Sequence, residues 1–147
     1  VQPITNFEAS RYLGKWYEVA RLENRFERGL EQVTATYGKR SDGGISVLNR
    51  GYDPVKNKWN ESEGKAYFTG EPTTAALKVS FFGPFYGGYN VIRLDDKYQY
   101  ALVSGPNRDY LWILSRTPTI PDAVKQDYLN TARSLGFRVD QLVWVKQ

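Results

Sequence analysis

The sequence predicts an all-β fold: an eight-stranded antiparallel up-and-down barrel with one C-terminal amphipathic helix and a short final strand. Turn-forming clusters such as Asp42-Gly43-Gly44 and Gly105-Pro106-Asn107 punctuate the chain about every ten residues, a spacing typical of sandwiches and barrels. The runs between them are short and rich in β-branched and aromatic residues. A longer segment of helical periodicity follows the eighth run. We expect a single domain over residues 1–147, because this length suits one domain.

Eight strands are expected, each bounded by turn signals. Short turns connect them in order, which is the up-and-down arrangement. The expected ranges are 15–23, 31–39, 45–52, 58–69, 74–82, 89–94, 98–104 and 110–116.

The segment after the eighth strand predicts one amphipathic helix. Between Pro121 and Leu135, apolar residues recur at spacings of three and four. Pro121 suits the start of a helix, and Gly136 suits its end. Run 110–116 is apolar on both faces, so we expect the helix to cover its outer face. A last strand is expected at 142–145.

Composition excludes several kinds of chemistry. The chain contains no His, Cys or Met, which excludes a His base, a Cys nucleophile, a disulfide and a Cys/His zinc site. The net charge is +4, from 20 basic and 16 acidic residues, and the basic residues are scattered, so no nucleic acid is expected as a partner. No metal or cofactor is expected either. No run approaches the roughly 18 apolar residues of a membrane-spanning helix.

Strand parity identifies the residues expected to face inward, since successive side chains point to opposite faces. This set mixes large rings with small residues. The rings fill the barrel in one interpretation and surround a cavity in the other, and an eight-stranded barrel suits both. The residues expected to line a ligand cavity are Ala35, Val47, Asn49, Ala66, Phe68, Leu77, Val79, Phe81, Tyr89, Val91, Leu102, Tyr110, Trp112 and Leu114.

A few inward positions are polar and suit the polar end of a ligand. Asn49, Tyr89, Tyr100 and Tyr110 are candidates for hydrogen bonds to a carboxylate or head group. Arg93 is expected on the same face. It is either a charge partner for the ligand or a solvated residue at the rim of the barrel.

The mouth of the barrel is expected at loops 23–31 and 83–88. These loops place apolar side chains there, at Phe26, Leu30, Phe85 and Tyr86. Packing within the turns and a portal that touches lipid or a partner are both consistent with this pattern.

Three motifs carry a family resemblance. Residues 12–18 contain Gly14-Lys15-Trp16, a Gly-x-Trp signature; residues 94–98 fall between the sixth and seventh strands; and Arg116 follows the eighth. Together they resemble the three motifs of the lipocalins over essentially the whole chain. The second motif departs from the usual Thr-Asp-Tyr, because Leu94 and Asp96 replace its first and third members.

Further segments narrow the resemblance. Residues 25–30, 64–68 and 81–89 are similar to bacterial lipocalins of the outer-membrane lipoprotein type, which are related to apolipoprotein D. The resemblance implies a lipocalin calyx, a bacterial periplasmic or outer-membrane location, and fatty acids or lysophospholipids as ligands. A membrane lipid surface and a homodimer are left open as partners. The chain begins at Val1 and has no cysteine, so we expect the signal peptide and lipidated cysteine of that subgroup either to be absent or to have been left out of this sequence.

Elementary physics gives three of the motif residues a structural role. Trp16 is expected to plug the barrel, and Gly14 lets the backbone pass close beside it. Arg116 is the candidate to stack on the indole, a contact worth roughly 0.5–2 kcal/mol.

The sequence therefore predicts a non-enzymatic protein that carries or stores a lipid-like hydrophobic ligand. The alternatives are an isomerase or hydrolase on the same scaffold and an engineered cup for a synthetic hydrophobic ligand. Enzymatic candidates are few, because Glu18 and Glu63 lack a visible partner and no Ser has a His to activate it.

Overall fold

The chain folds into a closed eight-stranded antiparallel barrel with a helix against its outer face. The computed structural model describes residues 1–82 and 85–147, without the side chains of Phe82 and Phe85. The sheet order is β2-β3-β4-β5-β6-β7-β8-β1-β9, and a further pairing of β1 with β2 closes the barrel. The predicted fold class is therefore confirmed. The strands are β1 (Gly14–Leu22), β2 (Glu31–Lys39), β3 (Ile45–Asp53), β4 (Lys58–Phe68), β5 (Ala76–Phe82), β6 (Phe85–Leu94), β7 (Tyr100–Ser104), β8 (Leu111–Ser115) and β9 (Leu142–Trp144).

Helical segments lie outside the strands. A single helical turn, α1 (Ala9–Tyr12), precedes β1, and the main helix, α2 (Asp122–Ser134), follows β8. A 3-10 turn at Val139–Gln141 leads into β9, which pairs with the last three residues of β1. No helix among the described residues has the length and apolar character needed to cross a membrane.

The two ends of the barrel are built differently. The N-terminal segment lies at the end where β1 begins, and its Phe7 and Tyr12 are buried against the barrel interior. We call this the closed end. Because antiparallel strands alternate in direction, the segments 23–30, 54–57 and 105–110 lie at the opposite end, which we call the open end.

Strand β6 begins earlier than the sequence predicts. The cluster around Gly87 and Gly88 was expected to form a turn, but both residues pair with β5, at Val79 and Lys78. The prediction of a loop over 83–88 is therefore wrong for its second half. The short helix α1 was not predicted, because one helical turn is too short to show a periodicity.

Two apolar clusters account for the core. The inner cluster fills the closed half of the barrel and includes Trp16, Tyr37 and Leu114. The outer cluster lies between the barrel and α2 and includes Ile113 and Tyr128. Strand β8 contributes to both clusters by alternation, which confirms that the helix covers its outer face.

A β-bulge changes the faces expected near the closed end. The pairing of β6 with β7 shifts between Val91 and Arg93, so Val91 faces inward and Arg93 is exposed on the outside near α2. On β7, Leu102 and Tyr100 belong to the outer cluster, while Ala101 faces inward. The predictions that Leu102, Tyr100 and Arg93 face the interior are wrong. A bulge breaks alternation, and the consecutive apolar residues of β7 do not show which face is inward.

Helix α2 is tied to the barrel by a hydrogen bond as well as by packing. The buried Tyr128 donates its hydroxyl to the backbone oxygen of Tyr100 at 3.0 Å. We expect Tyr128→Phe to lower the free energy of unfolding by about 1 kcal/mol, because the ring remains packed while the bond is lost. Urea denaturation followed by circular dichroism measures this change. A change under about 0.3 kcal/mol would show that water replaces the bond fully.

Candidate binding site in the barrel

The closed end is sealed by an indole and a guanidinium. Trp16 is 0% exposed and donates its Nε1 hydrogen to the backbone oxygen of Tyr12 at 2.8 Å. The Arg116 guanidinium lies 3.9 Å from the centre of the Trp16 ring, the stacking that the sequence predicts. Arg116 also donates to three backbone oxygens, those of Tyr98, Lys15 and Arg11. It therefore joins β1, the turn after β6 and the N-terminal helix.

Gly14 occupies a backbone position that favours glycine. Its φ is +101°, and a Cβ atom there would lie 3.4 Å from Nη1 of Arg116. Glycine adopts this conformation without strain, so β1 can turn sharply out of α1 and place Trp16 under the barrel.

Three tyrosine hydroxyls meet above the Trp16 plug. The Tyr89 hydroxyl lies 2.7 Å from that of Tyr12 and 2.9 Å from that of Tyr37. Burial raises the pKa of all three phenols, so they are neutral at physiological pH. Two hydrogen bonds use two of the three hydroxyl protons, which leaves one donor for another polar group. The sequence predicted Tyr89 as a polar lining residue but missed Tyr12, which lies on the unpredicted α1.

Most of the predicted lining residues lie in the inner cluster or against it. Ten of the fourteen have this position: Ala35, Val47, Ala66, Phe68, Leu77, Val79, Tyr89, Val91, Trp112 and Leu114. Asn49 follows Val47 on the same face of β3, and the Tyr110 ring lies 6.2 Å from that of Trp112. The Phe81 ring extends over Gly64. Contact of these residues with a ligand remains a prediction.

Exposure of the inward faces increases toward the open end. Along β5, Leu77 is buried, Val79 is half-buried and Phe81 is 37% exposed. On β8, Leu114 is buried while Trp112 is half-buried. Solvent therefore reaches apolar side chains on the inward faces of this half.

The predicted portal residues have different positions. Leu30 packs at the mouth, where its side chain covers Gly51 beside Val33. Phe26 is 65% exposed on the same loop. Phe85 lies outside the side chains that the structure describes.

Tyr86 is not at the mouth, contrary to the prediction. Its ring lies 6.5 Å from that of Tyr67, and Nζ of Lys78 lies 4.8 Å from its centre. These neighbours occupy the outer face, since each alternates with an inward-facing apolar residue. Tyr86 therefore belongs to the outer surface, because β6 already runs as a strand at this position.

A polar cluster at the open end was not predicted. Glu18 shares the inward parity of Trp16 and is 5% exposed, and Arg21 is 1% exposed. Arg21 donates to carboxylate oxygens of Glu23 at 2.8 Å and Glu18 at 3.3 Å, and to the backbone oxygen of Leu30 at 3.0 Å. Parity alone would have placed Glu18 inside the barrel. Arg21 lies on the same strand, and its other partners, Glu23 and Leu30, lie on a loop whose path no strand pattern shows.

The Glu18 carboxyl is held in its protonated form more strongly than an ordinary glutamate. Burial, the charge of Glu27 and a hydrogen bond with the Glu27 carboxyl raise the pKa of Glu18 well above its usual value, against the opposing effect of Arg21. Glu27 accepts a hydrogen bond from Nε1 of Trp112 at 2.8 Å. The open half thus combines an apolar wall with a carboxyl pair under the mouth.

Comparison with known proteins identifies the family. Residues 7–147 match the family model described as a lipocalin-like domain. The chain belongs to the lipocalin family. It is 66% identical over 147 residues to the outer membrane lipoprotein Blc of Escherichia coli (strain K12), covering 100% of this chain and 83% of that protein. It is 34% identical over 123 residues to apolipoprotein D of Rattus norvegicus, covering 79% and 64% of the two chains. The predicted similarity to bacterial outer-membrane lipoproteins and the more distant relation to apolipoprotein D are both confirmed.

Solved structures support the lipocalin fold. Insecticyanin from the tobacco hornworm Manduca sexta superposes with a TM-score of 0.81 at 20% sequence identity, covering 100% of this lipocalin and 84% of that chain. At this identity the likeness concerns the fold. The fold and family together make this lipocalin a binding protein for a small hydrophobic ligand.

The central residue of the altered second motif, Asp95, organises the turn between β6 and β7. The Asp95 carboxylate accepts hydrogen bonds from the backbone N–H groups of Lys97, Gln99 and Tyr100, at 3.2, 2.7 and 2.7 Å. Leu94 instead packs against the inner cluster. The turn between β6 and β7 is therefore held by Asp95, although Leu94 and Asp96 depart from the usual motif.

Proposed function

We propose that this lipocalin binds a fatty acid or lysophospholipid in its barrel, as a carrier or store of lipid. The observation that carries the proposal is the rise in exposure of the apolar inward faces toward the open end, above a sealed closed end. An alkyl chain of about sixteen methylenes gains about 0.8 kcal/mol for each one that leaves water. Ordering of the ligand offsets much of that gain.

Location is part of the same proposal. The relatives in Escherichia coli, Citrobacter freundii and Vibrio cholerae are named outer membrane lipoprotein Blc, at 66%, 66% and 57% identity. We infer that this lipocalin also works at the bacterial outer membrane or in the periplasm, where lipid released from the membrane is available. Contact with a membrane surface and pairing with a second copy stay predictions.

The proposal is tested by identifying what the protein carries. We expect native mass spectrometry of protein purified without detergent to show a bound species, which solvent extraction identifies as a single-chain amphiphile. Trp112→Ala should lower its affinity about tenfold, because a half-buried ring of the open half is removed. Absence of any bound amphiphile, together with no uptake of a fluorescent fatty acid by delipidated protein, would rule the proposal out.

One observation favours an enzyme as a second candidate. Glu18 is an inward-facing carboxyl with a raised pKa, the state that general acid–base catalysis uses. One of its oxygens, however, already accepts a hydrogen bond from Arg21. Turnover of an ester or unsaturated fatty-acid substrate that Glu18→Gln abolishes, with binding retained, would establish the enzyme.

A further inference from the structure

A groove of about 420 Å³ crosses the outer face of the barrel over β1 to β4. Most of its side chains alternate along β1 and β2 with the inward-facing Trp16 and Ala35, so they point away from the interior. We call it the outer groove. None of its residues belongs to the predicted lining of the barrel. Ten residues line it: Lys15, Tyr17, Gln32, Thr34, Thr36, Leu48, Arg50, Trp59, Pro118 and Gln147.

Strand pairing fixes the positions of the charged and polar groups in the outer groove. One cross-strand row runs from Tyr17 through Thr34 to Arg50, and the row beside it runs from Lys15 to Thr36. Adjacent strands lie about 4.8 Å apart, so a row over three strands spans about 10 Å. The two cations therefore lie on opposite walls of the groove, with threonine hydroxyls between them.

Each wall also presents an aromatic ring with a cation held against it. The Arg50 guanidinium lies 3.8 Å from the centre of the Trp59 ring, which is 41% exposed. Nζ of Lys15 lies 4.7 Å from the centre of the Tyr17 ring. Nε of Arg50 is also 3.3 Å from the Glu61 carboxylate, an exposed pair that contributes little. An anionic ligand therefore meets two cations that are already positioned, which lowers the cost of ordering them.

The floor of the outer groove is completed by the side chain of Gln147. Its Nε2 donates hydrogen bonds to the backbone oxygens of Glu18 at 2.6 Å and Val33 at 3.0 Å. These two residues follow directly on the last β1–β2 pair, Tyr17 with Thr34, so the amide bridges the strands where their ladder ends. Both N–H groups of the amide are used in this way, which leaves its oxygen to accept from a ligand.

We propose that the outer groove binds an acidic saccharide, a short chain of sugar rings that carry carboxylates. The carboxylates pair with Lys15 and Arg50, and the C–H face of a sugar ring packs on the exposed part of Trp59. Sugar hydroxyls exchange hydrogen bonds with Thr34 and with the Gln147 oxygen. This site lies on the opposite side of the barrel wall from the proposed lipid, and it does not depend on that proposal.

The chemistry of the outer groove favours this class of ligand over others. Among its ten described lining residues two are cations and none is acidic, which selects an anion. Hydroxyl and amide groups separate the cations and suit a ligand rich in hydroxyls. An alkyl chain finds only Leu48 and Pro118 as aliphatic contacts. A peptide cannot add as a strand here, because β2 is paired on both sides along the floor.

A titration with trigalacturonate at low salt tests the proposal. In the full chain labelled with nitrogen-15, we expect the indole N–H signal of Trp59 and the backbone N–H signals of Thr34 and Thr36 to shift and saturate together. Trp59→Ala and Lys15→Gln should each weaken the affinity about fivefold, because one stacking contact or one charge contact is lost. Both side chains are exposed, so both variants should fold.

Trp144→Ala is the matched control. Trp144 is 43% exposed, and Nζ of Lys125 lies 4.4 Å from the centre of its ring, so it is a similar cation–aromatic pair outside the groove. Its replacement should leave the affinity for trigalacturonate within about twofold of the wild type. An equal loss in Trp144→Ala and Trp59→Ala would place binding outside the outer groove and overturn the proposal.

The remaining outcomes separate the possible ligands. Maltotriose, a neutral saccharide, should bind at least about fivefold more weakly than trigalacturonate, and equal binding shows that the acidic groups are not recognised. Hexaglutamate that shifts the same signals as strongly would replace the saccharide by an acidic peptide. Signals that move on dilution without sugar would show that a second copy occupies the groove. No saturable shift with trigalacturonate, or wild-type affinity in Trp59→Ala and Lys15→Gln, makes the proposal wrong; if Trp59→Ala does not fold, Lys15→Gln decides.

Discussion

Replacing Trp16 by alanine is expected to lower the free energy of unfolding by about 3–5 kcal/mol. The indole is 0% exposed, so its removal leaves a void beneath the barrel. The change also deprives Arg116 of the ring 3.9 Å from its guanidinium and leaves the Tyr12 backbone oxygen without its donor. Because domains of this size are stable by only about 5–15 kcal/mol, much of the total is lost. Equilibrium urea denaturation measures it.

Trp59 provides the matched control for that substitution. It carries a similar cation–π contact, with the Arg50 guanidinium 3.8 Å from its ring, but it is 41% exposed on the outer face of β4. Trp59→Ala should therefore cost under about 1 kcal/mol. If both substitutions cost the same, the burial of Trp16 is not what stabilises the closed end, and its assignment as a plug fails.

Features set by local patterns could be read from the sequence. Most turn clusters located strand ends, with the cluster at Gly87 and Gly88 as an exception. The run 110–116, apolar on both faces, indicated that the helix would cover β8. The stacking of Arg116 on Trp16 could also be predicted, because both residues belong to the spaced family motifs and a guanidinium stacks favourably on an indole. Each of these inferences uses a local pattern, a face with one clear polarity or a recognisable motif.

Features set by tertiary irregularities could not be read in this way. The bulge at Val91 reversed the face of Arg93, and the uniform apolarity of β7 hid the orientation of Leu102. The contact between Glu27 and Trp112 depends on how a loop folds back into the barrel, which alternation does not encode. Parity therefore identified most of the apolar wall but missed the carboxyl pair at the mouth.

The stability of the protein should depend on pH in a direction that this carboxyl pair sets. A folded-state pKa raised above the unfolded value stabilises the fold below the unfolded pKa, and this contribution is lost as the pH rises through the folded pKa. Glu18 is such a group. Glu18→Gln should therefore remove this part of the pH dependence, which urea denaturation at several pH values measures.

Filling the open half with a large side chain should abolish ligand binding without unfolding the barrel. Val79 is the position of choice, because it is half-buried and packs at the edge of the inner cluster, between the buried Leu77 and the exposed Phe81. In Val79→Trp, the added ring projects into space that the proposed alkyl chain occupies. Losing burial of even two methylenes costs about 1.6 kcal/mol, so affinity for a fluorescent fatty acid should fall at least about tenfold.

Lys78→Trp is the matched control for this filling, since the neighbouring residue on β5 is exposed on the outer face. The same ring added there leaves the lumen unchanged, and affinity should stay within about twofold of the wild type. Denaturation of both variants separates blocked binding from misfolding, because Val79→Trp should retain a cooperative transition. Overpacking is expected only if the barrel is solid at this depth, with a cost of about 1–3 kcal/mol. A destabilised Val79→Trp with unchanged affinity would mean that rings fill the barrel and the ligand binds elsewhere.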